Sequence, residues 1–174
     1  MELPVLQTRR LRLCPWTSDD VDELHSLWMA PEVRRYLWDG VVITRETAEQ
    51  VIHANLACAA QYAIGCWALY LLRPVERIAG FCGFRLIDDG PEIELMFGLR
   101  GEHWGKGLAT EASRAAIDYL WRSTSFQRVY ARTDPPNGKS VEVMRRLGMT
   151  LESTTAAMIT YSLARPGEAH PAPR

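Results

Sequence analysis

The sequence is short of the features that would tie it to a membrane, a metal or a nucleic acid. No stretch reaches the ~18 apolar residues of a spanning helix. The N-terminus, Met1-Glu2-Leu3-Pro4, lacks the basic region and apolar run of a targeting segment. Charge of one sign is missing too: 20 Lys and Arg against 21 Asp and Glu leave a net charge of −1, without the basic excess of a dedicated nucleic-acid binder. Cysteines are few, Cys14, Cys58, Cys66 and Cys82. None forms a C-x-x-C pair and all sit in apolar runs, so buried reduced thiols are expected. His25, His53, His103 and His170 are scattered rather than clustered with cysteines, so no metal site is expected. There is no internal repeat. What remains is a soluble, cytoplasmic protein, monomer or homodimer, with no membrane or nucleic-acid partner.

The 174 residues, 47% of them hydrophobic, fit one domain with a continuous core. Residues 1–164 carry the periodic patterns. The tail 165–174 is rich in proline, glycine and charge and is expected to be disordered. Val5, Leu11 and Leu13 alternate with polar residues as a first strand. Thr17 with Asp20 reads as a capping box ahead of a helix bearing Val21, Leu24, Leu27 and Trp28. A loop is expected from Pro31 to Val42, then a second helix from near Thr44. Cys66 to Leu72 and Ile78 to Ile87 form a hairpin around Arg73 to Arg77. Asp88-Asp89-Gly90 turns into a third strand, Glu92 to Leu99. A helix with Leu108, Ala112, Ala116 and Leu120 on one face follows. After it come a strand at Gln127 to Arg132, a short helix from Asn137 to Leu147 closed by Gly148, and two last strands between Met149 and Leu163. The fold class is α/β (α+β), with a mixed, mostly antiparallel sheet and helices on both faces.

The chemical signal lies between the third strand and the helix after it. In Gly105-Lys106-Gly107-Leu108-Ala109 the glycines admit close backbone approach, and the helix start turns N–H groups and positive dipole toward an anion. A pyrophosphate fits that need. A P-loop is excluded, because three residues instead of four separate Gly101 from Gly105 and Gly107 stands where Ser or Thr is needed. A dinucleotide fingerprint fails at Thr110 and in its antiparallel context.

Glu94-Leu95-Met96-Phe97-Gly98-Leu99 followed by Trp104-Gly105-Lys106-Gly107-Leu108-Ala109-Thr110-Glu111-Ala112 resembles the acetyl-CoA motif of the GCN5-related N-acetyltransferases (GNAT). The branch it looks most like holds the ribosomal-protein N-terminal acetyltransferases. Thr8-Arg9-Arg10-Leu11-Arg12-Leu13 resembles that branch's opening strand. Asn137-Gly138-Lys139-Ser140 with Arg146-Leu147-Gly148-Met149 resembles its closing motif. The likeness runs from about Leu6 to Ala164. It implies acetyl-CoA as cosubstrate without a metal, and a central sheet splayed in the middle. Pantetheine would lie against the main chain of Met96, Phe97 and Leu99, and pyrophosphate on the segment Trp104 to Ala109, Lys106 and Leu108 included. Asn137 would bond the pantetheine arm. The sequence departs at Glu102, where Gln or Arg is usual, and at Met144, where many relatives carry a Tyr general acid.

For chemistry, an amine must lose its proton before it attacks. Glu94 is the candidate base, as a carboxylate beside an apolar cleft accepts a proton readily. It is equally readable as a salt-bridged strand residue. Ser140 is the candidate donor to the leaving thiolate, or a helix-start hydroxyl bonded to backbone. Trp38, Asp39 and Tyr36 are candidates for the acceptor site. The acceptor itself, a protein N-terminus or a small amine, stays open. So does a catalytically silent acetyl-CoA-binding module.

Overall fold

Antiparallel strands can follow one another through hairpins, whereas a parallel neighbour needs a crossover. This chain uses both solutions, and the change between them makes the site. The computed structural model describes residues 2–73, 77–88 and 90–167. Its elements are β1 (Leu6–Gln7), β2 (Leu11–Pro15), α1 (Val21–Met29), α2 (Pro31–Leu37), α3 (Arg45–Tyr62), β3 (Cys66–Leu71), β4 (Gly80–Leu86), β5 (Ile93–Leu99), α4 (Leu108–Ser123), β6 (Arg128–Thr133), α5 (Gly138–Arg146), β7 (Thr150–Thr154) and β8 (Ile159–Ala164). One eight-stranded sheet runs in the order β1-β2-β3-β4-β5-β6-β8-β7. Every pairing is antiparallel except β5 with β6, which meet only at Glu94 opposite Tyr130. None of the described helices is long and apolar enough to cross a membrane.

Alternation along the strands sorts the core into two layers. Leu11, Leu13, Trp67, Leu69, Cys82, Phe84, Leu95, Leu99, Val129 and Ala131 pack with α4 and α5 on one face. Cys66, Ala68 and Phe81 pack with α1, α2 and α3 on the other, and Met96 lies against them. Thr17 and Asp20 form the expected capping box, with the Thr17 N–H donating to Asp20 Oδ2 at 2.7 Å. Thr44 caps α3 by accepting from the Thr47 N–H at 3.2 Å, and Asn137 caps α5. Gly148 takes φ +81° where α5 ends, the left-handed turn its position demands.

Three expectations need correction. The segment Pro31–Leu37 is helical rather than loop: Pro31 supplies the fixed φ of a first helical turn, and Val33 is buried. The opening strand is two strands, because Thr8 accepts the N–H groups of Arg10 and Leu11 and folds the chain back at that point. Of the cysteines, Cys66 and Cys82 are buried, while Cys14 and Cys58 are only half-buried; all four are free. The hairpin residues 74–76 and Asp89 lie outside the described residues, as does the tail from residue 168. Arg165, placed in that tail by composition, is docked: its guanidinium donates to the carbonyls of Trp121, Phe126 and Thr124 at 2.6, 3.0 and 2.6 Å.

The β1–β2 turn is fastened to the start of α4. Glu111 accepts from Thr8 Oγ1 at 2.6 Å and from the Arg10 N–H at 2.9 Å, and it pairs with the Arg10 guanidinium at 2.7 Å. Burial raises the Glu111 pKa, but the hydrogen bonds from Thr8 and Arg10 and the Arg10 charge outweigh it and hold the carboxyl below its ordinary value. A carboxyl depressed in the folded state stabilises fully above its unfolded pKa of ~4.3, and loses that contribution as pH falls through the folded value. Glu111→Gln should therefore flatten part of the acid limb of stability. Urea unfolding of wild type and variant from about pH 7 down to pH 3 should show the gap between them closing with acid; a gap independent of pH would contradict this.

Candidate active site

The β5 and β6 strands pair at Glu94 and Tyr130; toward Met96 on one side and Arg132 on the other they part. The opening is a cleft of about 730 Å³. Its floor is Leu95 to Leu99. One wall is Gly105 with the segment Gly107 to Thr110, Lys106 between them not lining it; another is the start of α5 from Asn137 to Ser140, and α2 closes the far side through Val33, Tyr36 and Leu37. Because α4 and α2 pack on opposite faces of the sheet, the cleft passes through the sheet rather than lying on it.

At the α4 end, Gly105 and Gly107 have φ +72° and +74°, which only glycine adopts without strain. A side chain at Gly105 would meet nothing within 4 Å, and one at Gly107 only Arg10 Nη2 at 3.7 Å. The backbone there is open to a ligand. No side chain caps α4, so its first N–H groups keep the orphan donors and positive dipole of a 16-residue helix. Arg10 Nη1 donates to the Lys106 carbonyl at 2.9 Å. In a planar trans peptide this fixes the Gly107 N–H on the opposite side. Leu108 is buried as the first core residue of α4, and Ala109 lines the cleft beside it.

In the middle, beyond Glu94, no strand pairs with the second edge of β5 among the described residues, so the main chain at Met96 and Phe97 is available to an extended ligand. Leu99 is less available than expected: its carbonyl accepts from Trp104 Nε1 at 2.8 Å. Trp104 reaches across the cleft, with Lys139 Nζ 4.0 Å from its ring centroid, so both residues are held by a cation–π contact between two walls. Asn137 Oδ1 accepts the Ser140 N–H at 3.3 Å, which leaves the Asn137 amide nitrogen for the cleft. Ser140 lines the same wall, and Met144 is buried there. The residue that replaces the Tyr acid is thus a core side chain.

At the α2 end the surroundings of Glu94 are ionic, as the salt-bridged of its two readings expects, and not an apolar wall. Its Oε2 accepts from Arg85 Nε and Nη2, both at 2.7 Å, and from Arg132 Nη2 at 3.1 Å; Oε1 accepts from Arg132 Nε at 3.1 Å. The hydrogen bond to Glu94 pushes the Arg132 pKa further up. Among the described residues Oε1 has that one partner, so it keeps an acceptor position. Tyr36 lines the cleft on the same side, but Trp38 and Asp39 do not. Trp38 packs edge-on against Trp28, centroids 5.9 Å apart, and Asp39 takes φ 53° in the exposed turn before Gly40. Glu32 and Arg35 line the cleft beside Tyr36, as do Arg85, Arg132 and His103, which residue-by-residue reading does not single out. His103 was set aside as a scattered histidine, yet its Nδ1 is buried with no partner among the described residues, and burial lowers its pKa. The signal that could have found Arg85 is register, since it pairs with Glu94 across β4 and β5.

A through-sheet cleft with an uncapped glycine-rich helix start at one end is the architecture of an acetyl-CoA-dependent acyltransferase. More narrowly, the chain belongs to the acetyltransferase (GNAT) domain family, whose model matches residues 10–150. It is 29% identical over 156 residues to an uncharacterised N-acetyltransferase, p20, of Bacillus licheniformis, covering 86% of this chain and 84% of that one. An acetyltransferase from Agrobacterium tumefaciens superposes with a TM-score of 0.80 at 25% identity, over 94% of this chain and 95% of its own. A ribosomal L7/L12 α-N-protein acetyltransferase solved with coenzyme A shares the fold, with a TM-score of 0.77 at 19% identity, over 97% and 100% of the two chains. The orphan amides, open glycines and unpaired β5 edge fit acetyl-CoA.

Two outcomes follow for the walls. Gly107→Val would place a β-branched residue at φ +74° and fill the anion's place. Acetyl-CoA should raise the melting temperature of wild type and leave that of Gly107→Val unmoved; a wild-type-sized shift in the variant would remove the pyrophosphate from this loop. On the α2 side, Tyr36→Ala should raise KM for the amine, whereas Trp38→Ala should lose about 3 kcal/mol or more of stability with KM for the amine unchanged. Steady-state kinetics beside denaturant unfolding checks both, and a raised amine KM in Trp38→Ala alone would return the acceptor to the turn.

Proposed function

We propose that this protein transfers the acetyl group of acetyl-CoA directly to a primary amine, either a protein N-terminal α-amine or a small molecule, with both substrates bound at once. The observation that carries this reading is the passage of the cleft through the sheet. A donor held at the α4 face and an acceptor admitted at the α2 face would meet where β5 and β6 diverge, so no relay through an acyl-enzyme is needed.

Each residue then has a task. The amides from Gly105 to Ala109 hold the pyrophosphate, and Trp104 and Lys106 frame that mouth. The main chain of Met96 and Phe97, with the Asn137 amide, aligns the pantetheine arm. The bound thioester supplies the electrophilic carbonyl. A lysine-like amine has a pKa of ~10.4 and an α-amine one near ~8, so either must give up a proton near neutral pH. Glu94 Oε1, with its remaining acceptor position, takes that proton through water. Arg85 and Arg132 keep the carboxylate from rotating. The C–N bond forms and the C–S bond breaks; the second proton shed by the nitrogen balances the departing thiolate, from a thiol of pKa ~8.5, to which the Ser140 hydroxyl donates a hydrogen bond.

Glu94→Gln should leave acetyl-CoA affinity within about threefold and lower kcat by ~10²-fold, the scale of one positioned base. The deficit should shrink at high pH, where the amine deprotonates unaided. Amine-dependent thiol release, measured across pH for both proteins, decides this. Wild-type kcat in Glu94→Gln at pH 7 would make the residue structural. Acetyl-CoA binding by the wild type without thiol release for any amine would favour a binding module over an enzyme.

A further inference from the structure

The α2 end of the cleft carries more positive charge than an amine cation alone would call for. Arg85 and Glu94 are cross-strand partners, so their side chains share a face. Val129 and Ala131 point into the α4 layer, so Arg132 on β6 points the other way, toward that same face. The three groups converge at the apex of the split, where Glu94 is nearly buried while 53% of the Arg85 side chain and 27% of the Arg132 side chain stay accessible. Each guanidinium gives its Nε and Nη2 to Glu94. Each keeps Nη1, without a partner among the described residues, as a donor pair in the cleft.

One carboxylate between two guanidiniums leaves a net charge of +1. The other charged residues of this end, Glu32 and Arg35, cancel, and the Glu32 carboxylate is already turned to the Gly101 N–H at 3.2 Å. Asp88 and Glu92, which also act on Arg132, are exposed near the β4–β5 turn and do not line the cleft. A polyamine or a lysine side chain would bring only further positive charge to an end where the Glu94 carboxylate is already shared by two guanidiniums. An oxyanion would find two forked donors already fixed by Glu94.

We infer that the acceptor is a small zwitterion, an amine carrying a carboxylate or phosphate close to its amino group, whose anionic end is held by Arg85 and Arg132 while its nitrogen faces the thioester. This rests on the acetyl-transfer reading above and narrows its acceptor. The anion fixes the orientation and offsets the local charge. It also leaves the amine near Glu94 Oε1, where its proton departs.

The test is a thiol-release assay on the full chain with three sets of acceptors. One is L-α-amino acids, each beside its C-terminal amide. Another is amino phosphates, such as phosphoethanolamine beside ethanolamine. The last is anion-free amines, spermidine and peptides without acidic residues. The zwitterion of each pair should be the better substrate, and whichever pair shows the larger contrast identifies carboxylate or phosphate. Arg85→Gln should raise KM for that zwitterion about tenfold to a hundredfold, the scale of one charge-assisted contact, and shrink the contrast with its neutral partner. KM for acetyl-CoA should hold, as a merely structural defect would not allow. Equal use of both members of each pair, or preference for spermidine or neutral peptides, would overturn the inference. Absence of acetyl-CoA binding, or binding with no turnover of any set, would instead overturn the acetyl-transfer reading on which it rests.

Discussion

The carboxylate of Glu94 fastens three strands at the one point where the parallel pair meets. Arg85 comes from β4, Glu94 from β5 and Arg132 from β6, across the single register pair Glu94 and Tyr130. Beyond that register no strand pairing joins the two halves among the described residues; the α4–α5 layer and the Lys139–Trp104 contact span them instead. A buried carboxylate with only one guanidinium would be poorly compensated, while two hold it from both sides. The cleft is therefore wide by topology and bounded by electrostatics. The α4 crossover forces the strands apart at one end, and the ion cluster stops the gap at the other.

The second constraint acts from behind. Arg10 joins two otherwise separate requirements, the edge of the sheet and the glycine loop before α4. It pairs with Glu111 on α4 and holds the Lys106 carbonyl, so a turn about a hundred residues earlier in sequence sets the direction of a peptide plane at the helix start. The glycines at 105 and 107 make that plane free to turn, and the arginine chooses its orientation. Flexibility and its restraint come from different parts of the chain.

Local patterns were readable where one short segment decides them. The caps at Thr17 and Thr44, the glycine-rich start of α4 and the left-handed Gly148 follow from residue chemistry within four or five positions. The mixed sheet followed instead from element order, a meander in the middle and later strands joined through helices. The helix Pro31–Leu37 was not readable because seven residues hold too few apolar repeats, and proline reads as easily as a loop. At the acceptor end, reading failed for a different reason. Whether Glu94 faces an apolar wall or two arginines depends on Arg132, which reaches it only through the crossover. Tyr36 and Trp38 lie two residues apart at the end of a short helix, and which one enters the cleft is settled by Trp28 packing from α1. Long-range partners of this kind leave no periodic trace.

The docking of Arg165 gives α4 a second role. Its guanidinium closes the carbonyls around the end of that helix, while the glycine loop occupies the start. Sixteen residues at 1.5 Å each put about 24 Å between the two ends. The last described residues lie at the end of α4 remote from the glycine loop. A tether attached there, to a solid support or to another domain, would pull along the axis of α4 against a set of hydrogen bonds and would not crowd the entry of a bulky nucleotide. Immobilised or fused forms are best built from this end, and those joined at the β1–β2 edge, where Arg10 steadies the loop, would work against the same machinery.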